Sequence, residues 1–250
     1  MNAKRLVVRF SSGGLLRFLS HQETVTAIER IIRRSMIPVS YTQGFHPRIK
    51  IKYAPAVPTG VASMANYVML DCEEPISDAL NRLNERSVFT LRALRAWFIP
   101  TDYKKVEDFL DSYRFSLFLP SASYDPGRFD GEATVTKKTK SGHRSFRAGD
   151  VFANLTVTTL RTCHMVEYFQ PTDSLVSSEE LMRIMAKNGA ASYEGVFVLV
   201  REGYFENRET SVILDEIGGI QDVRSQQMGE YQAQEGRAGR QEIEGIHEDN

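Results

Sequence analysis

Leu6-Val7-Val8-Arg9-Phe10, then Ser11-Ser12-Gly13-Gly14, then Leu15-Leu16-Arg17-Phe18-Leu19-Ser20-His21-Gln22-Glu23: the reading of this run decides the fold of the first half of the chain. The β-branched and aromatic residues at 6–10 predict a strand, and the serine-glycine cluster behind them breaks it. Ser20-x-x-Glu23 has the spacing of a capping box, in which each side chain satisfies a backbone amide at a helix entry. Val25, Ile28, Ile32 and Met36 follow at three- and four-residue spacing, predicting a helix over 21–36 with that face buried. Arg30, Arg33 and Arg34 fall on the other face, and the last two suit the negative end of the helix dipole. Pro38 ends the helix.

Outward from this run, 39–42 resumes an extended course. Strands are predicted at 49–53 and 67–70, on either side of the turn-rich Ala54-Pro55-Ala56-Val57-Pro58-Thr59-Gly60. A helix over 77–86 turns Leu80 and Leu83 inward, and 88–99 returns as a strand. The order β-α-β-β-α-β is that of a ferredoxin-like α+β unit, with two helices on one face of an antiparallel sheet and the other face open. This unit is assigned to residues 1–102.

Residues 103–110 form an amphipathic connector into a second unit, 103–218. Strands are predicted at 113–119, 154–160, 164–169 and 195–200, with a helix over 178–187. A hairpin is expected in which 133–137 pairs with 144–147 through Lys140-Ser141-Gly142-His143. This β-rich α+β unit has the outline of a degenerate ferredoxin-like domain, although identity between the halves is too low to assert a repeat. From 219 to 250, Gln, Glu, Gly and Arg dominate and apolar residues are too few for a core, so the segment is read as a disordered acidic tail.

The charge is unevenly spread. The first sixty residues carry ten Lys or Arg against Glu23 and Glu29 alone, while the whole chain has a net charge of -1. A basic lobe set with aromatics, glycines and two histidines suggests a surface for a polyanion, above all nucleic acid. Arg17, Arg30, Arg33, Arg34, Arg48, Lys50 and Lys52 would hold phosphates. Tyr41, Gln43, Phe45 and His46 would meet bases or a partner loop. In Gln43-Gly44-Phe45-His46-Pro47-Arg48, Gly44 frees the backbone and Pro47 fixes it, so Phe45 can stack a base while Arg48 grips a phosphate. The competing reading tucks Phe45 into the core as an anchor of the loop. Lys137-Lys138-Thr139-Lys140 reads as a solvated turn that could extend the same surface.

Several chemistries find little support. Ser20, His21 and Glu23 are adjacent helix positions that point in different directions, and two of them serve the cap, so they do not read as a triad. His21 and His46 remain weak general acid/base candidates, and as a metal pair they lack further ligands. Gly13-Gly14 matches neither a phosphate loop nor a dinucleotide fingerprint. Cys72 and Cys163 stand alone, so no cysteine-rich metal site or cluster motif is present, and they read as reduced thiols without excluding a bond between them. No apolar run reaches the length of a membrane span, and Arg9 interrupts the N-terminal apolar run before a signal core develops, so a cytoplasmic protein is expected.

Val8-Arg9-Phe10, Gly14, Leu16-Arg17-Phe18-Leu19-Ser20-His21, Glu29-Arg30, Arg33-Arg34, Ile37-Pro38, Tyr41-Thr42-Gln43-Gly44-Phe45-His46-Pro47, Ala54-Pro55 and Pro58-Thr59-Gly60-Val61 resemble the N-terminal signature of the radical-SAM-linked protein family. That family is a bacterial domain of unknown function, found alone or fused behind a radical SAM enzyme with a cobalamin-binding-type domain. The likeness is dense over 5–70, thinner around 137–147 and 170–173, and absent from the tail. Gln22-Glu23 replaces the family's usual Leu-Asp, and His46-Pro47-Arg48 its common Asn-Pro-His. The resemblance implies a radical SAM protein as partner and supplies no activity of its own. The chain cannot be that enzyme, whose cluster needs three closely spaced cysteines. The expectation is an accessory protein without a cofactor, more a binder than an enzyme, that presents structured RNA (tRNA or rRNA). Two alternatives stand beside it: a metal-independent RNA-processing nuclease using His21 or His46, and a protein-binding scaffold using the open sheet.

Overall fold

Ser20 and Glu23 close the predicted box. The Glu23 amide donates to Ser20 Oγ at 3.3 Å and the Ser20 amide donates to the Glu23 carboxylate at 2.8 Å. These distances come from a computed structural model that describes residues 4–139 and 142–222. The helix they start, α1 (His21–Arg34), ends two residues before the predicted limit. Met36 takes a left-handed φ of 55°, which α-helical backbone cannot continue through.

The strand before it is β1 (Lys4–Ser12). After α1 come β2 (Ile51–Tyr53), β3 (Ala62–Cys72), α2 (Ala79–Glu85) and β4 (Leu91–Ile99). β3 reaches five residues further back than predicted, because Ala62, Ser63 and Ala65 are buried and the first two pair with neighbouring strands, although their side chains carry little strand signal. Within these residues the strand order is β4-β1-β3-β2, every pair antiparallel.

The second half contributes β5 (Ser112–Pro120), β6 (Thr134–Thr139), β7 (Gly142–Arg147), α3 (Ala148–Val151), β8 (Ala153–Thr159), β9 (Cys163–Pro171), α4 (Ser178–Met185) and β10 (Phe197–Phe205). β6 and β7 make the expected hairpin as a separate two-stranded ribbon, with Thr136 opposite Ser145. Lys140 and Ser141 of its turn lie outside the described residues. The remaining strands run β10-β5-β9-β8, again all antiparallel. β5, β8, β9 and β10 therefore sit in the same relative order as β1, β2, β3 and β4.

The two sets are strands of one sheet. β10 lies beside β3 in parallel, with Leu199 opposite Ala62 and Val200 opposite Ser63. The boundary expected at 102/103 thus falls between strands of a single mixed α/β layer, a strand-rich sheet of ten strands among the described residues. Three elements absent from the sequence reading follow β10: β11 (Arg208–Glu209), α5 (Thr210–Ile217) and β12 (Gly219–Asp222). β12 pairs with β4 at the sheet edge, Gly219 opposite Phe98 and Asp222 opposite Arg95. The tail assigned from 219 is corrected accordingly: its first four residues are strand, fixed by backbone pairing that composition does not reveal. Residues 223–250 lie outside the described residues.

The sheet separates two cores. Leu6, Val8, Phe10, Val68 and Leu70 pack beneath Ile28 and Ile32 of α1 and Leu80 and Leu83 of α2. The opposite face was expected to be open. Instead Val7, Tyr67 and Trp97 are buried there by Val106, Phe109 and Leu110 of the connector and by Leu214 of α5. That core continues under the second half, where Phe115, Leu117, Val166 and Tyr168 meet Leu181, Met182 and Met185 of α4. Covering large aromatic rings on both faces removes far more apolar surface from water than an open sheet would.

A buried polar knot joins the halves. Glu202 follows a register shift in β10, and its carboxylate accepts from the Arg9 guanidinium, the Tyr67 hydroxyl, the Ser211 hydroxyl and the Gly203 amide. Burial, and after it the nearby Glu202 carboxylate, pushes the Tyr67 phenol well above its ordinary pKa, so it stays a donor.

Candidate nucleic-acid interface

The cations of the chain, those predicted to hold phosphate among them, divide by their surroundings. Arg5, Arg9, Arg82 and Arg95 are tied to Asp71, Glu202, Asp78 and Asp215. Arg30, Arg33, Arg34, Arg48 and Lys50 are exposed and make no ion pair among the described residues. Arg33 and Arg34 end α1, where three solvated guanidinium groups with Arg30 project from one helix. Lys52 is partly engaged: its ammonium donates to the Lys104 carbonyl.

Residues 40–50 form an irregular hairpin. The Thr42 amide donates to the Arg48 carbonyl at 2.8 Å, the Lys50 amide to the Ser40 carbonyl at 2.9 Å, and the Arg48 amide to Thr42 Oγ1 at 3.0 Å. Gly44, at φ 141°, takes a conformation that side chains rarely allow and starts the turn at the tip. Phe45 is 97% exposed, with the His46 ring edge-on at 5.5 Å. The anchored reading of Phe45 is therefore wrong: the ring projects. Tyr41 and Gln43 are exposed on the same loop. An apolar ring held in water at a loop tip is the geometry of a stacking platform.

His21 stands in the first turn of α1, edge-on to Tyr53 at 6.3 Å. Neither it nor His46 hydrogen-bonds a carboxylate or hydroxyl among the described residues, and the two imidazoles belong to separate aromatic contacts. No group of three or more His, Cys, Asp or Glu suited to a metal occurs among the described residues. Both cysteines are free, and burial pushes the Cys72 thiol up to about 12.

Arg17 is placed apart from the exposed cations. It lies in a short 3-10 turn, Gly14–Phe18, ahead of α1. The Arg17 carbonyl accepts from the Gly60 amide at 2.7 Å, which fixes this turn against the Pro58-Thr59-Gly60 bend. The guanidinium then sits 4.7 Å from the Phe18 ring centre and 5.7 Å from that of Phe197. Its Nε is buried with no hydrogen-bond partner.

These groups border a cleft of about 390 Å³, lined also by Ser178 and Glu179 at the start of α4 and by Tyr193 and Val196. It opens where the parallel strands β3 and β10 begin, so both halves of the chain build it. Glu179 is the carboxylate of the cleft and accepts from the Tyr193 hydroxyl at 3.0 Å. Sequence reasoning identified Arg17 but missed Phe197, Tyr193 and Glu179. Their partners are distant in the chain, and the one local signal was an exposed aromatic on each side of Gly195.

No helix among the described residues is long and apolar enough to cross a membrane. Comparison with curated proteins returns no match. A family profile does match over residues 5–183, a span that holds the capped helix, the Phe45 loop and the Arg17 turn, and by that match the chain belongs to the family described as uncharacterized protein conserved in bacteria (DUF2344).

Proposed function

We propose that this protein is a cytoplasmic RNA-binding accessory subunit that works with a radical SAM enzyme and presents structured RNA to it. The observation that carries the RNA reading is Phe45, fully projecting at the tip of a hairpin whose base bears the unpaired Arg48 and Lys50. Stacking by the ring and phosphate contact by the cations are the two components of sequence-tolerant RNA binding. Arg30, Arg33 and Arg34 extend the positive field along α1. The partner rests on the resemblance of residues 5–70 to the radical-SAM-linked signature. The repeated antiparallel order of β1–β4 and of β5 with β8–β10 supports reading each half as ferredoxin-like.

Titration of tRNA and rRNA fragments across a range of salt tests this reading. Affinity is expected to fall steeply with salt, and Arg33→Ala and Arg34→Ala each to weaken binding and flatten that dependence. Phe45→Ala is expected to cost about 1–3 kcal/mol with the salt slope unchanged. If no RNA binds more tightly than heparin and the three variants behave like the parent, the RNA reading fails.

A further inference from the structure

The cleft at Arg17 has features that the exposed lobe lacks. Most arginines that come out of water in this fold find a carboxylate, as Arg9 finds Glu202 and Arg5 finds Asp71. Arg17 has no ion pair and no side-chain hydrogen bond among the described residues, although its Nε is sealed from solvent. A guanidinium that lines a cleft without a counter-ion is costly, and its terminal N–H donors remain for a ligand. The partner must be an acceptor, and a planar guanidinium favours an anion with two oxygens, a phosphate or carboxylate, gripped through its two terminal nitrogens.

The walls specify the rest of the ligand. Phe18, Tyr193 and Phe197 remain 55%, 59% and 38% exposed at the cleft, too much aromatic surface to leave bare around one charge without a purpose. Flat apolar rings facing a gap accept another flat ring. Glu179, in the same lining, accepts hydrogen bonds and repels anions, so it suits the N–H edge of that ring and leaves the anion to Arg17. The volume of about 390 Å³ lies in the range of roughly 300–1,000 Å³ typical of small-molecule sites.

We propose that this cleft binds a single nucleotide, its base between the aromatic walls with an amino edge toward Glu179 and its phosphate on Arg17. The nucleotide is either free or one residue of a bound RNA. The site itself does not depend on the RNA reading. In the second case it deepens that reading, by adding a base-sized pocket to a surface that otherwise only tracks phosphate.

Calorimetric titration of the full chain with AMP, adenosine, UMP and a short RNA ending in a 5′-phosphoadenosine tests the proposal. AMP is expected to bind at least tenfold more tightly than adenosine, which lacks the phosphate, and more tightly than UMP, which lacks the amino edge. Arg17→Lys keeps the charge but removes the two-nitrogen fork, and should weaken AMP at least fivefold. Phe197→Leu should weaken AMP and adenosine alike. Arg86→Ala, at an exposed cation outside both the cleft and the basic lobe, should leave AMP binding unchanged. Equal affinities for AMP and the oligonucleotide would identify a free nucleotide as ligand, whereas a tighter oligonucleotide that loses its advantage in Arg17→Lys would identify an RNA residue. The proposal is overturned if AMP does not bind at millimolar concentration, if adenosine matches AMP, or if folded Arg17→Lys and Phe197→Leu bind AMP as the parent does. Salt-sensitive RNA binding that survives any of those results would leave the RNA reading intact and remove only the cleft.

Discussion

Arg9 and Glu202, 193 positions apart, meet at 2.5 Å with their side chains 12% and 9% exposed. Arg9 also donates to the carbonyls of Met64 and Arg201, so one side chain ties β1, β3 and β10 together. Breaking such a pair from one side leaves the other charge buried. Glu202→Gln is expected to lower stability by about 3–5 kcal/mol, read as a shift in the urea midpoint at unchanged slope. A parental midpoint would mean that the knot adds nothing.

Ser20→Ala removes one side of the capping box and should cost about 1 kcal/mol of stability at neutral pH. The Ser20 hydroxyl and amide hold the Glu23 carboxyl below its ordinary pKa. A carboxylate depressed in the folded state stabilises above its unfolded value and loses that contribution as the pH falls. The difference between parent and variant should therefore narrow in acid. Melts at pH 7 and pH 3 would measure it, and a constant difference would show that the box carries no charge-dependent part.

Four phenols, Tyr53, Tyr67, Tyr113 and Tyr168, are pushed above the ordinary tyrosine pKa of 10.0, in each case chiefly by burial. A group whose folded pKa is raised stabilises fully below its unfolded pKa and loses that contribution as the pH climbs past it. Stability should hold up to about pH 10 and then collapse. Tyrosinate absorbance at 295 nm is expected to rise together with the loss of circular dichroism. Stepwise ionisation with the dichroism retained would contradict the burial of these rings.

Two truncations isolate β12. A chain ending at Asp222 keeps the strand that covers the edge of β4, and one ending at Gly218 does not. The shorter chain should be the less stable and the more prone to self-association, since an unpaired strand edge templates pairing with another molecule. Light scattering and thermal melts of the pair would decide. Identical behaviour would make β12 dispensable.

What could be read in the sequence was what residues encode among near neighbours. The cap at Ser20 and Glu23 spans three positions and the buried Ile28 and Ile32 of α1 lie within about one turn, so both were legible, whereas Met36, assigned to the same face, lies past the helix end and is exposed. The β6–β7 hairpin was legible for the same reason. The placement of β10 beside β3 was not, because Leu199 and Ala62 carry no mutual signal across so long a separation. Nor was the cover over Trp97, since Thr210–Ile217 is a two-turn helix, set off by left-handed Glu206 and Asn207 and too short to show a clear periodic face. Phe45 could be named but not oriented, because a loop aromatic anchors or projects according to what surrounds it. Arg17 could be counted as a cation, but its cleft is assembled from segments near 17, 59, 178 and 197, and only the folded chain brings them together.

The parallel join between β3 and β10 also sets an order in time. The strands up to Ile99 can pair as soon as they leave the ribosome, whereas Ala62 and Ser63 wait for Leu199 and Val200. At typical elongation of about 5–20 residues per second, that delay is roughly 5–20 s. Throughout it, one side of β3 ahead of β2, and one whole side of β5, have no partner strand. A nascent chain of this protein is therefore exposed to mispairing for seconds longer than its compact first half would suggest. A chain that stopped at residue 183, where the family likeness ends, would never leave that state.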